Sequence, residues 1–131
     1  MTDKLLFSGK PHNTSGKGGA AKSADGFLDL ALAQPHPAAE NLFGAAWSAC
    51  FMGAIEYAAA QKKIALPTAP SIDAQIDLLN GAEGFFLRAR LDVSIPDLDR
   101  AVAQDLVEAA HGICPYSKAT RGNIDVAVNL V

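Results

Sequence analysis

Cysteine, clustered positive charge and long apolar runs are all scarce in this chain of 131 residues. It holds two cysteines, Cys50 and Cys114, and Met1–His12 lacks the apolar core and small-residue cleavage site of a leader. A disulfide-stapled secreted scaffold is therefore not expected. Lys and Arg total 11 against 14 Asp and Glu, a net charge of −3, with no basic cluster. Nucleic-acid binding would lack its main source of affinity. Polar or charged residues interrupt every apolar stretch before the roughly 18 residues that suggest a membrane span, so none is expected. What is present suits a packed core: half the residues are hydrophobic, 19% are charged and mean hydropathy is +0.13. The expectation is one cytoplasmic domain across residues 1–131.

Along the chain the periodicity changes several times. Lys4–Ser8 suits a short strand, and the Gly-, Ser- and Lys-rich stretch 9–26 a loop or hairpin connection. Phe27–Leu32 alternates as a half-buried strand, with Leu28, Leu30 and Leu32 on one face. Gln34-Pro35-His36-Pro37 then breaks regular structure. From Glu40 to Lys62 the apolar residues take helical spacing through Leu42, Phe43, Ala46, Trp47, Cys50, Phe51, Ala54, Ile55 and Ala58. A helix apolar nearly all round is a buried one, with Cys50 near its middle.

Period two returns in Ile72–Leu78 and again in Leu87–Val93, which implies a hairpin turning at Asn80-Gly81. A second helix is expected from Asp97, its N-cap, with Pro115 as its stop. Ile124–Val131 reads as a terminal strand. The order β-β-α-β-β-α-β with antiparallel hairpins describes an α+β domain.

The candidate chemistry centres on the thiols. Two buried cysteines acting as small hydrophobes is the plain reading; a reactive thiol needs a nearby cation or donor to hold its thiolate. Lys17, His111 and Arg121 are candidate helpers, and no sequence spacing places any of them at Cys50. His111 and Cys114 offer two ligands three residues apart, too few for a zinc site. No Gly-x-Ser-x-Gly elbow occurs, and Ser15-Gly-Lys-Gly-Gly lacks phosphate-loop spacing.

Two longer motifs say more. Glu40-Asn-Leu-Phe-Gly-Ala-Ala-Trp-Ser-Ala-Cys50-Phe-Met-Gly-Ala-Ile55 resembles the central-helix signature of the organic hydroperoxide resistance (Ohr) proteins, a branch of the OsmC superfamily. His111-Gly-Ile-Cys114-Pro-Tyr-Ser-Lys-Ala-Thr-Arg-Gly-Asn-Ile-Asp-Val126 resembles the same family's second cysteine motif. The resemblance implies an intertwined α+β homodimer, with antiparallel sheets around a buried central helix and two active sites at the subunit interface. It further implies a peroxidase for alkyl or fatty-acid hydroperoxides, without metal, flavin or other cofactor. Cys50 falls on the peroxidatic position and Cys114 on the resolving one. Dihydrolipoamide or a lipoylated protein is the implied reductant.

The family also uses a Glu and an Arg beside the peroxidatic sulfur. Glu40 falls on the Glu position; ten residues of helix span about 15 Å, so it reaches Cys50 only from a partner subunit or through a bent helix start. Lys17 falls on the Arg position, keeping the charge without the planar fork. Two alternatives stand beside this reading: an OsmC-like redox sensor, and a dimer that binds an apolar ligand with little peroxidase activity.

Overall fold

A computed structural model describes residues 2–32 and 38–131. The expected break at Gln34–Pro37 lies outside the described residues. The chain divides into two compact units, Met1–Ala39 and Glu40–Val131.

The first unit is a small antiparallel sheet in the order β1 (His12–Asn13), β2 (Ala20–Lys22), β3 (Asp29–Ala31). The Gly-rich stretch makes it. Gly16 takes φ +91° in the β1–β2 connection, and a Cβ on Gly19 would lie 2.8 Å from the carbonyl oxygens of both Thr14 and Leu32. Only glycine allows three backbones to meet so closely. The β2–β3 turn is closed by Asp25, which accepts the Phe27 amide at 3.0 Å, and by Gly26 at φ +78°. That turn takes up Phe27 and shortens the expected Phe27–Leu32 strand to Asp29–Ala31. Lys4–Ser8 is not a strand: Leu5, Leu6 and Phe7 are exposed, and among the described residues no strand pairs with them.

The second unit carries the core. The helix α1 (Ala38–Gln61) enters it, and β4 (Ser71–Gly81) and β5 (Gly84–Ser94) pair antiparallel from Ser71↔Ser94 to Gly81↔Gly84. The helices α2 (Arg100–Ile113) and α3 (Pro115–Thr120) follow, and β6 (Asp125–Leu130) completes the order β4-β5-β6. The α+β class is as expected. Of the two expected amino-terminal strands only Asp29–Ala31 is present, and β1 and β2 form within the stretch expected as a connection. A short third helix is added, and the second sheet is mixed rather than antiparallel. β6 lies parallel to β5, Ala89 opposite Val126 and Leu91 opposite Val128. The two intervening helices carry the chain back along the sheet, the crossover that parallel neighbours require.

Local chemistry moves two boundaries. The hairpin turns at Ala82-Glu83 rather than Asn80-Gly81, because pairing continues through Leu79↔Phe86 and Asn80↔Phe85 and the positive φ falls on Gly84. The N-cap of α2 is Asp99, whose carboxylate accepts the Val102 amide at 3.3 Å; Asp97 instead takes φ +61° and accepts the Thr68 hydroxyl.

Alternation puts Ala89, Leu91 and Val93 of β5 inward, against Trp47, Phe51, Ile55 and Ala58 of α1 and Ala103, Leu106, Val107 and Ala110 of α2. Each of the larger side chains contributes roughly 1.5–3 kcal/mol by leaving water. Ala39–Gln61 is, against expectation, long and apolar enough to cross a membrane by length and composition. Glu40 and Glu56 are its only charges, and its Ser, Asn and Gln interrupt it too weakly. One face of it is built into this core, as in the central helix of a globular domain. It is not buried all round: Phe43, Ala46, Ala49, Gly53 and Tyr57 form an exposed stripe.

Candidate active site

Cys50 sits near the middle of α1 with Trp47 one turn before it and Ala54 one turn after, both buried. Cys114 is the junction between two helices. Its amide still donates to Ala110 O at 2.8 Å, ending α2, and Pro115 opens α3 at the first helical position. Proline forces the preceding residue out of helical geometry, and Cys114 adopts φ −60°, ψ 119°. The chain therefore turns at this residue. Pro115 was expected to be a stop alone; it is also a start, since its missing N–H is no loss at a helix N-terminus.

This turn brings the two thiols together. Cys114 Sγ lies 3.1 Å from Cys50 Sγ, and both cysteines are free. Cys114 is fully buried and Cys50 partly so. A disulfide is about 2.05 Å long, so the sulfurs stand about one ångström short of a bond. Burial pushes the Cys50 thiol above its ordinary value and the neighbouring Cys114 adds to this, while the Tyr116 backbone amide works the other way. This surrounding favours the protonated thiol over the thiolate.

A second contact runs beside the first. Trp47 Nε1 donates to Ser117 Oγ at 3.1 Å, with both residues fully buried. Arg121 donates to the His111 carbonyl at 2.7 Å, tying the residue after α3 to the last turn of α2. His111 packs its ring 6.2 Å from that of Phe51, and among the described residues its buried Nδ1 has no hydrogen-bond partner. Burial, then the Arg121 charge, lowers the His111 pKa from its ordinary value. Among the described residues, no three His, Cys, Asp or Glu side chains gather as metal ligands.

Glu40 lies in the first turn of α1 and lines an open groove of about 400 Å³ with Asn41, Gly44, Ser48, Met52, Ile72 and Ile76. α1 is continuous from Ala38 through Cys50, and ten residues of helical rise put Glu40 about 15 Å along the axis from Cys50. Lys17 is exposed in the β1–β2 connection of the first unit. Trp47, Ser117 and the Tyr116 amide were not singled out from sequence; the available signal was the matching three-residue spacing of Trp47–Cys50 and Cys114–Ser117.

With a thiol pair held between a central helix and a Cys-Pro helix start, comparison with known proteins decides the family. The OsmC-like protein family matches residues 33–129. An organic hydroperoxide resistance protein of Xanthomonas axonopodis pv. citri is 39% identical over 98% of this chain and 96% of its own length. The chain belongs to the organic hydroperoxide resistance branch of the OsmC-like proteins. The crystal structure of the Ohr protein OhrB of Bacillus subtilis superposes with a TM-score of 0.84 at 41% identity, covering 97% of this chain and all of that one. An Ohr protein from Elizabethkingia anophelis, solved with thiocyanate bound, gives 0.87 at 33% identity over 98% of both chains. The Ohr assignment thus extends across both units.

Proposed function

We propose that this Ohr family member is a cytoplasmic, homodimeric thiol peroxidase that reduces organic hydroperoxides. The single observation that carries the reading is the 3.1 Å separation of two free sulfurs from residues 64 positions apart. In the first step the Cys50 thiolate attacks the terminal peroxide oxygen, the O–O bond breaks, and the leaving alkoxide takes a proton to become an alcohol. In the second, Cys114 sulfur attacks the Cys50 sulfenic acid; the S–S bond forms, the S–O bond breaks, and water leaves with the Cys114 proton. A dithiol, dihydrolipoamide or a lipoylated protein, then exchanges with the bridge and restores both thiols. No cofactor enters these steps.

The surroundings of Cys50 are apolar, which suits a fatty-acid or alkyl hydroperoxide over hydrogen peroxide. Glu40 acts in this scheme across the dimer, on the Cys50 of the second copy. Lys17 supplies the positive charge that the raised Cys50 pKa calls for. The exposed apolar stripe on α1 supports a second copy, and the matching of relatives over nearly the whole chain supports residues 1–131 as one functional domain. The cytoplasm is the compartment in which two free thiols persist.

The test is a thiol count. One equivalent of tert-butyl or cumene hydroperoxide is expected to convert the two thiols of each chain into one internal disulfide, and Cys50→Ser to abolish peroxide consumption. Survival of both thiols overturns the reading. Dihydrolipoamide is expected to restore them faster than an equal concentration of a monothiol.

A further inference from the structure

Taking the thiol-peroxidase reading as its basis, we infer that Ser117, through the indole of Trp47, is a positioning residue for the bridge-forming step. Trp47 and Cys50 stand three residues apart on α1, and so on one face. Cys114 and Ser117 stand three apart across the start of α3. The two segments therefore meet twice, sulfur on sulfur at 3.1 Å and indole on hydroxyl at 3.1 Å. One contact reacts; the other does not change.

The unreactive contact sets where Cys114 lies. Trp47 and Ser117 are both fully buried, so if they part, the indole N–H finds no water in exchange. α3 is tied down at both ends: Lys118 N donates to Cys114 O at 3.1 Å, and Arg121 donates from the far end to His111 O. Cys114 has no loop on which to swing, and its sulfur goes where α3 sits on α1. Among the described residues, the Trp47–Ser117 bond joins a side chain of α3 to a side chain of α1, beside the thiol pair and the Tyr116 amide that faces Cys50.

Bridge formation makes the strictest geometric demand in the cycle. After oxidation, Cys114 sulfur must attack Cys50 sulfur opposite the departing oxygen; S–S forms, S–O breaks and water leaves. A misplacement near 1 Å can slow such a step about 100-fold. Peroxide reduction makes no such demand on Cys114. Loss of the Ser117 hydroxyl should therefore separate two steps that a general structural defect would slow together.

The experiment is a single turnover with one equivalent of cumene hydroperoxide, following peroxide loss and disulfide formation separately and trapping the Cys50 sulfenic acid with dimedone. In Ser117→Ala, peroxide loss should stay within about twofold of the unaltered chain, while bridge formation slows about tenfold or more and trapped sulfenate accumulates. Trp47→Phe should do the same, and the double variant should be no slower than either single one, the sign of a shared contact. Ser117→Thr keeps the hydroxyl and Ser117→Val has its shape without it, so this pair decides the matter should the alanine variant not fold. Equal bridging rates in Thr and Val variants, or equal slowing of both steps in Ser117→Ala, would overturn the inference. An unaltered chain that leaves peroxide intact ends the peroxidase reading instead. Diamide, which oxidises thiols directly, then compares bridging in the same variants: slower bridging in Ser117→Ala sustains the positioning role, and equal bridging ends it.

Discussion

At the scale of single residues, the proton on Cys50 is the variable that governs reactivity, since the thiolate is the nucleophile. Burial is the largest influence, the Cys114 thiol the next, and both favour the protonated form. The sign of each substitution follows. Cys114→Ala removes one raising influence, so the Cys50 titration midpoint should move down while burial keeps part of the elevation. Lys17→Ala removes a cation from the proposed site, so the midpoint should move up and the alkylation rate near pH 7 should fall. Rates of iodoacetamide alkylation at Cys50, read by mass spectrometry across a pH series, check both directions. Thiolate rises with pH, so every chain alkylates faster in alkali, and only the midpoint differs. A Lys17→Ala midpoint unchanged from the unaltered chain would remove Lys17 from the site.

At the scale of elements, the approach of α1 to β4 is set by a missing side chain. A Cβ on Gly44 would lie 3.3 Å from both Ala74 Cβ and Ile76 Cγ1, and a strand alanine has no rotamer by which to give way. Alanine gains about 0.5–1 kcal/mol of helix preference over glycine, but overpacking costs about 1–3 kcal/mol. Gly44→Ala should therefore destabilise the chain by roughly 1 kcal/mol in urea unfolding. Gly53, also in α1 but with open space where its Cβ would be, is the control expected not to lose stability in a single chain. The elements themselves were largely legible: helical spacing revealed α1 and α2, and alternation revealed β4, β5 and β6. What stayed hidden depends on partners or on backbone conformation. Asp97 and Asp99 are equivalent as letters, and only the left-handed backbone at Asp97 excludes it from the cap. Pro115 reads as a terminator unless a new helix is known to follow. The thiol pair was legible through two family motifs, whereas its separation, and the Trp47–Ser117 contact beside it, join segments that no spacing along the chain relates.

At the scale of the whole molecule, the continuity of α1 turns the role of Glu40 into a question about assembly. Helix rise puts Glu40 about 15 Å along the axis from Cys50 of its own chain, so the proposed assistance to the thiolate is assigned to a second copy. The stripe of Phe43, Ala46, Ala49, Gly53 and Tyr57 is an apolar surface on α1 itself that could receive one. Symmetry makes this testable by complementation. Cys50→Ser and Glu40→Ala chains should each be weak or inactive alone. In a mixed dimer, the chain that retains Cys50 faces the chain that retains Glu40, which makes one complete site. Random exchange at equal amounts makes about half the dimers mixed, so about a quarter of all sites should recover. Peroxide consumption after mixing, compared with the sum of the separate samples, is the measurement. Recovery requires both the dimer and the crossed arrangement. No recovery, with subunit exchange verified by mass spectrometry of intact dimers, would leave Glu40 as a first-turn carboxylate favoured by the helix dipole and nothing more.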